Sequence, residues 1–184
     1  LRQTGDDFHA RYSARGKTYT YLIANSFFAN PLLRDYSWHV AKKLDLDLMR
    51  QGLTVLTGEH AFASFTAKIA EREGASTVRE IERFELEEVS ENLLAITVTG
   101  NGFLYKMVRS LVGQLVDLGM GRLDLVELQR ILDVKCRTQS AATAPAHGLY
   151  LAEVYYSDEQ RKEGLNKSGK NFFHELFRGG VSRE

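Results

Sequence analysis

The stretch GNGFLYKMVRSLVGQLVDLG, residues 100–119, constrains the fold of this chain more than any other. On a helical wheel Phe103, Leu104, Met107, Val108, Leu111, Val112 and Leu115 form one broad apolar arc. The spacing predicts an amphipathic helix from Phe103 to about Leu118, led in by two glycines. An apolar face of that width has to be covered by another layer of structure. The neighbouring segments supply strands for it. KTYTYLIA, residues 17–24, alternates, with Tyr19, Tyr21 and Ile23 on one face and Thr18, Thr20 and Leu22 on the other. YSWHVA, residues 36–41, is a second short strand. TVREIERFELEEV and NLLAITVTG, joined by a polar SEN turn, predict a β-hairpin in which Phe84 and Leu86 oppose Glu85 and Glu87. GLYLAEVYY returns as a strand. Two more helices are signalled by DLDLMRQGLTVLTG, with Asp45 or Asp47 as cap and Gly58 as stop, and by DLVELQRILDVK from Asp124. EHAFASFTAKIAEREGAST reads as an irregular excursion. Strands, then hairpins and helices, with few βαβ units, predict an α+β fold: a mostly antiparallel sheet with helices packed on one face.

A chain of 184 residues, 43% hydrophobic and 26% charged, can bury the core of one domain, with or without a tail. Composition changes near Ser157. We therefore expect a domain over 1–157 and a tail over 158–184, helical or disordered, in which Phe172, Phe173 and Phe177 permit a short amphipathic helix. No apolar run is long enough to predict a membrane-spanning helix. Cys136 is the only cysteine, so no intrachain disulfide forms and a reducing compartment is expected. Lys plus Arg and Asp plus Glu both number 24, so net charge decides nothing about nucleic acid. Locally, HARYSARGK and NGFLYKMVR are basic without any acid, while acid gathers in REIERFELEEVSE. The chain opens on Leu, which is expected of a piece of a longer protein.

Several chemistries find no support. His9, His39, His60, His147 and His174 are scattered without ligand spacing, so no metal site is expected. GQLVDLGMG follows a helix instead of opening one and is not a phosphate loop. Ser64 lacks the flanking glycines of a nucleophile elbow. Two places remain. Arg109 interrupts the apolar arc, with Tyr105 and Gly113 one turn away along its edge. It is either a surface arginine laying its stem on apolar surface, or a guanidinium aimed into a cleft to pair with a carboxylate or phosphate. The Tyr-rich strand behind Arg11 and Arg15 either packs on the core or stacks an unpaired base.

In order, DFHARYSARGKTYTYLI, GEHAFASF, STVREI, GNGFLYKMVRSLVGQL and RTQSAATAPAHGLYLAEVYY resemble the second half of TruA-type tRNA pseudouridine synthases, over residues 7 to about 156. FLYKMVRSLVG followed by AATAPAHGLYL is the specific pair. The resemblance implies isomerisation of uridine to pseudouridine in the tRNA anticodon stem-loop, without a cofactor. It also implies a homodimer acting on tRNA in the cytoplasm or an organelle. In that family an aspartate attacks the uridine, the N-glycosidic bond breaks, the base rotates and a C–C bond to the ribose forms. Tyr19 matches the tyrosine that stacks on the target uracil and is implicated in proton removal from C5. Arg109 matches the arginine that pairs with the catalytic aspartate. Phe103 and Leu104 match positions lining the uracil pocket, and Arg11 a basic position near the cleft. The family's aspartate lies in an Arg-Thr-Asp motif. This sequence has none, and Asp6 and Asp7 do not match it. The chain is therefore expected to be a C-terminal portion, inactive alone, whose nucleophile comes from a missing N-terminal half. The alternative is a catalytically inactive RNA-binding or dimerisation domain of the same fold. On the catalytic reading, Arg109 points into an open cleft beside Tyr19 and holds no carboxylate of its own.

Overall fold

In the computed structural model, which describes Gly5 and residues 7–66, 76–134 and 143–166, the Tyr/Thr stretch forms the inner strand β1 (Gly16–Ala24). Its mixture of β-branched and aromatic residues suits a strand flanked on both sides. On one side it pairs antiparallel with β5 (Leu93–Gly100), from Lys17 opposite Gly100 to Ala24 opposite Leu93. On the other it pairs antiparallel with β6 (Leu149–Tyr155) and, at its far end, parallel with the two-residue β2 (Trp38–His39). The hairpin partner β4 (Val78–Ser90) lies beyond β5, and β3 (Gly58–Ala61) forms the edge beyond β4. All pairs except β1 with β2 are antiparallel.

Alternation sends Tyr21, Ile23, Phe84, Leu86, Ile96 and Val98 to one face of this sheet, where they form the main core. Three helices cover them: α1 (Leu46–Leu56), α2 (Met107–Gly119) and α3 (Leu125–Val134). Asp45 starts α1 by accepting the Leu48 N–H at 2.9 Å, and Asp124 starts α3 by accepting that of Glu127 at 2.8 Å. Gly52 lets α1 lie close on α2, since a Cβ there would stand 2.5 Å from Leu118 Cδ2.

The opposite face is lined with threonines. Thr18 and Thr99 share a hydrogen bond of 2.8 Å, and Thr20 and Thr97 one of 3.2 Å. A fourth helix, α4 (Asp158–Asn166), sits on this side. Its Arg161 clasps Glu82 with Nε and Nη2 at 2.7 and 2.5 Å, and its Gly164 rests against the Tyr155 ring. The Tyr155 hydroxyl meets Thr18 Oγ1 at 2.9 Å and donates to Glu153. Burial, reinforced by the Glu153 carboxylate and opposed by Thr18, pushes its pKa up to about 12. Helical structure thus begins directly after Ser157 and is tied to the sheet. Phe172, Phe173 and Phe177 lie outside the described residues.

Two elements differ from expectation. The helix predicted from Phe103 starts at Met107, because Lys106 adopts a left-handed backbone (φ +60°) that no continuing helix allows. Phe103 and Leu104 reach the same core from the preceding loop, which is why they extend the apolar arc. The excursion read as irregular opens with the ordered strand β3. A 3₁₀ turn at Phe62–Phe65 follows, burying both phenylalanines completely at a three-residue spacing. The rest of that stretch, 67–75, lies outside the described residues.

Candidate active site

Tyr19 stands on the helix-covered face of β1, two residues before Tyr21, and is half-buried. The loop ahead of α2 brings Phe103 edge-on to it, with ring centroids 5.3 Å apart and planes at 89°. Leu104 follows in the same loop and packs on the core. The Tyr19 hydroxyl bonds to no described residue. Burial raises its pKa, and the nearby Arg11 guanidinium works against that rise.

Arg11 is presented by a tight turn. His9 Nδ1 accepts the backbone N–H groups of Arg11 and Tyr12 at 3.1 and 3.2 Å, and the His9 N–H donates to Ser13 Oγ at 3.0 Å. The imidazole therefore has a bare Nδ1, acting like a side-chain cap. The Arg11 guanidinium also lies 5.7 Å from the Tyr12 ring centroid.

Arg109 rises from the third position of α2. Its Nε donates to Ala144 O at 2.6 Å, and the Ala144 N–H donates back to Arg109 O at 3.1 Å. The next residue, Pro145, accepts the Tyr21 hydroxyl at 2.7 Å. Tyr21 is buried enough that its pKa rises well above the usual range, although the Arg109 charge pulls it down. The turn through 143–148 is thus wedged between Tyr21 and Arg109. Gly148 makes the wedge possible: a Cβ there would stand 2.8 Å from Tyr21 Cζ. Arg109 forms no ion pair with any described residue.

The structure therefore brings Phe103 edge-on to Tyr19 with the Arg11 charge nearby, packs Leu104 on the core from the same loop as Phe103, and sets Arg109 near Tyr21 on the same face of β1. No local pattern in the sequence marks Tyr21, Ala144 and Pro145 as parts of this arrangement. Among the described residues no group of three His, Cys, Asp or Glu is placed to hold a metal, and no helix is long and apolar enough to cross a membrane.

An aromatic wall on an α+β sheet, with an arginine whose terminal nitrogens bond to no described residue, offers a flat face to a planar group and a guanidinium edge to an anion. The family model for tRNA pseudouridine synthase matches residues 54–157. The tRNA pseudouridine synthase A of Ruminiclostridium cellulolyticum is 44% identical over 151 residues, 82% of this chain and 61% of that protein. Those of Streptococcus agalactiae and Acetivibrio thermocellus are 40% and 41% identical, covering 87% and 82% of this chain and 62% and 60% of the relatives. The chain belongs to the tRNA pseudouridine synthase family. It spans less than two thirds of the length of these curated relatives.

Proposed function

We propose that residues 1–157 are the C-terminal half of a synthase catalytic domain, and that the intact protein isomerises uridine to pseudouridine in the tRNA anticodon stem-loop. One observation carries the reading: Arg109 lies near Tyr21, on the same face of β1 as the Tyr19–Phe103 pair, fixed through Nε, with no carboxylate of its own among the described residues. The target uridine has to leave its stack to be reached. Tyr19 stacks on its uracil, worth about 1–3 kcal/mol per base, and Phe103 and Leu104 exclude water around it. Arg11 approaches from the lip, where a phosphate would pass. The nucleophilic aspartate comes from outside these 184 residues, and Arg109 keeps it ionised. A neighbouring guanidinium lowers a carboxyl pKa by about 1–3 units, and dry walls strengthen the pairing.

The test compares the intact protein with residues 1–184 alone on a uridine-containing tRNA transcript. We expect pseudouridine only from the intact protein. Turnover by residues 1–184 alone would overturn the external nucleophile. Binding of tRNA by the intact protein without any pseudouridine would make it an RNA-binding relative instead.

The same reading implies a homodimer, and the loop between β1 and β2 offers its surface. Phe27, Phe28, Leu32 and Tyr36 are 79, 80, 83 and 59% exposed there. Beside them lies a concavity of about 510 Å³ lined by Pro31, Leu33 and Trp38. The adjacent charges, Arg34 and Asp35, pair with each other. An apolar knob, an apolar hollow and a neutral rim complement a second copy better than a polyanion. The four side chains would bury on the order of 500 Å² per copy, against about 800 Å² per partner in a standard interface. Phe28→Asp should convert the dimer to a monomer in sedimentation equilibrium; a variant that stays dimeric rules this surface out.

A further inference from the structure

We propose that Tyr21 is a positioning residue. Through the 143–148 turn it fixes the Arg109 guanidinium so that only the two terminal nitrogens can meet the nucleophile's carboxylate. The proposal rests on reading Arg109 as that carboxylate's partner.

A guanidinium can receive a carboxylate side-on, through Nε and one terminal nitrogen, or end-on, through both terminal nitrogens. The side-on mode recurs among the described residues. Arg161 holds Glu82 through Nε and Nη2 at 2.7 and 2.5 Å, and Arg130 holds Glu127 through the same two nitrogens, each at 2.7 Å. Arg109 cannot do the same, because its Nε is already spent on Ala144 O at 2.6 Å. The end-on edge is what remains.

That restriction holds only while the Ala144 carbonyl stays in place. Ala144 is fixed from one side by its own N–H on Arg109 O. From the other side it is fixed through Pro145, whose ring limits the backbone (φ −54°) and whose carbonyl accepts the Tyr21 hydroxyl. Tyr21 is a rigid anchor. It is 0% exposed, sits opposite Ile96 on β5, and meets Trp38 edge-on with centroids 6.4 Å apart. Its phenol is kept neutral by burial, so it donates throughout the neutral range. A side chain this deep touches no RNA. Whatever Tyr21 does for the reaction, it does through the turn and Arg109.

The experiment uses the intact protein and measures steady-state rates on tRNA against pH, with thermal melts of every variant. Arg109→Ala comes first and is expected to be nearly inert. Tyr21→Phe keeps the ring and removes only the donor. We expect kcat to fall about 10- to 100-fold, as for a catalytic group displaced by a fraction of its reach, with KM within about twofold. The acid limb of kcat/KM should move upward, because a poorly aimed cation lowers the carboxyl pKa less. A purely structural loss would not move that limb. In an Arg109→Lys background, Tyr21→Phe should cost nothing further, since the two act as one unit. Normal kcat in Tyr21→Phe while Arg109→Ala is inert overturns the positioning role and leaves the Arg109 reading standing. A kcat loss with an unmoved acid limb overturns it as well. Normal turnover by Arg109→Ala removes the Arg109 reading, and the role of Tyr21 falls with it.

Discussion

Arg109→Ala in the intact protein should cut pseudouridine formation by about 10²- to 10³-fold while leaving the melting temperature within a few degrees of wild type. The two effects separate because the guanidinium contributes little to the fold. It is only part-buried, and its one bond among the described residues runs to a backbone carbonyl, a loss of about 1 kcal/mol. The Ala144 N–H still reaches the backbone carbonyl of residue 109. The reaction depends on the arginine far more. A carboxylate nucleophile in a closed, dry pocket loses both its counter-charge and its aim. Breaking a buried pair on one side costs about 3–5 kcal/mol, and each 1.4 kcal/mol is about tenfold. Arg109→Lys should recover little, because one ammonium has to choose between Ala144 O and the carboxylate. The check is a rate assay on tRNA beside a thermal melt. Activity within about tenfold of wild type would show that the carboxylate has another partner.

Much of this fold can be read from local pattern, and the reason lies in particular residues. The two faces of β1 are chemically distinct, tyrosine and isoleucine against threonine, so a period of two is visible in KTYTYLIA and its burial follows. Asp45 lies three residues before Leu48, the capping distance, and it caps. The start of α2 was not legible, because apolar periodicity records what reaches the core and not the backbone that carries it. Phe103 and Leu104 reach the core from a loop, and one left-handed residue, Lys106, separates that loop from the helix. β3 was missed because a four-residue edge strand leaves too little alternation to count. For the site, pattern left Arg109 between two readings. The structure adds to them a contact with a carbonyl 35 residues away, held in turn by a tyrosine 124 residues from its partner. Links of that length leave no mark on any local window. The family resemblance points to Arg109 and Tyr19 and includes AATAPAHGLYL among its motifs, but it assigns no role to the turn that this motif forms between their strand and helix.

Tyr19→Phe should slow pseudouridine formation by about 10²-fold, in the range usual for loss of a proton-transfer group, while tRNA binding changes only slightly. The phenyl ring remains to stack on uracil and to meet Phe103 edge-on, so affinity is largely kept. The hydroxyl bonds to no described residue, so its removal leaves the fold intact and the melt unchanged. What disappears is the one oxygen on the wall able to take part in moving the C5 proton. Its environment makes the role testable by pH. Burial raises the Tyr19 pKa and Arg11 opposes the rise. The neutral phenol is therefore favoured on folding. Its contribution to stability is complete below the ordinary tyrosine pKa and is lost as pH rises through the raised value. If the phenolate accepts the proton, the wild-type rate climbs on the alkaline side. Arg11→Gln then moves that climb to higher pH, because the opposing charge is gone, and Tyr19→Phe abolishes it. Wild-type rates from Tyr19→Phe would mean that the ring alone matters and that the C5 proton leaves by another route.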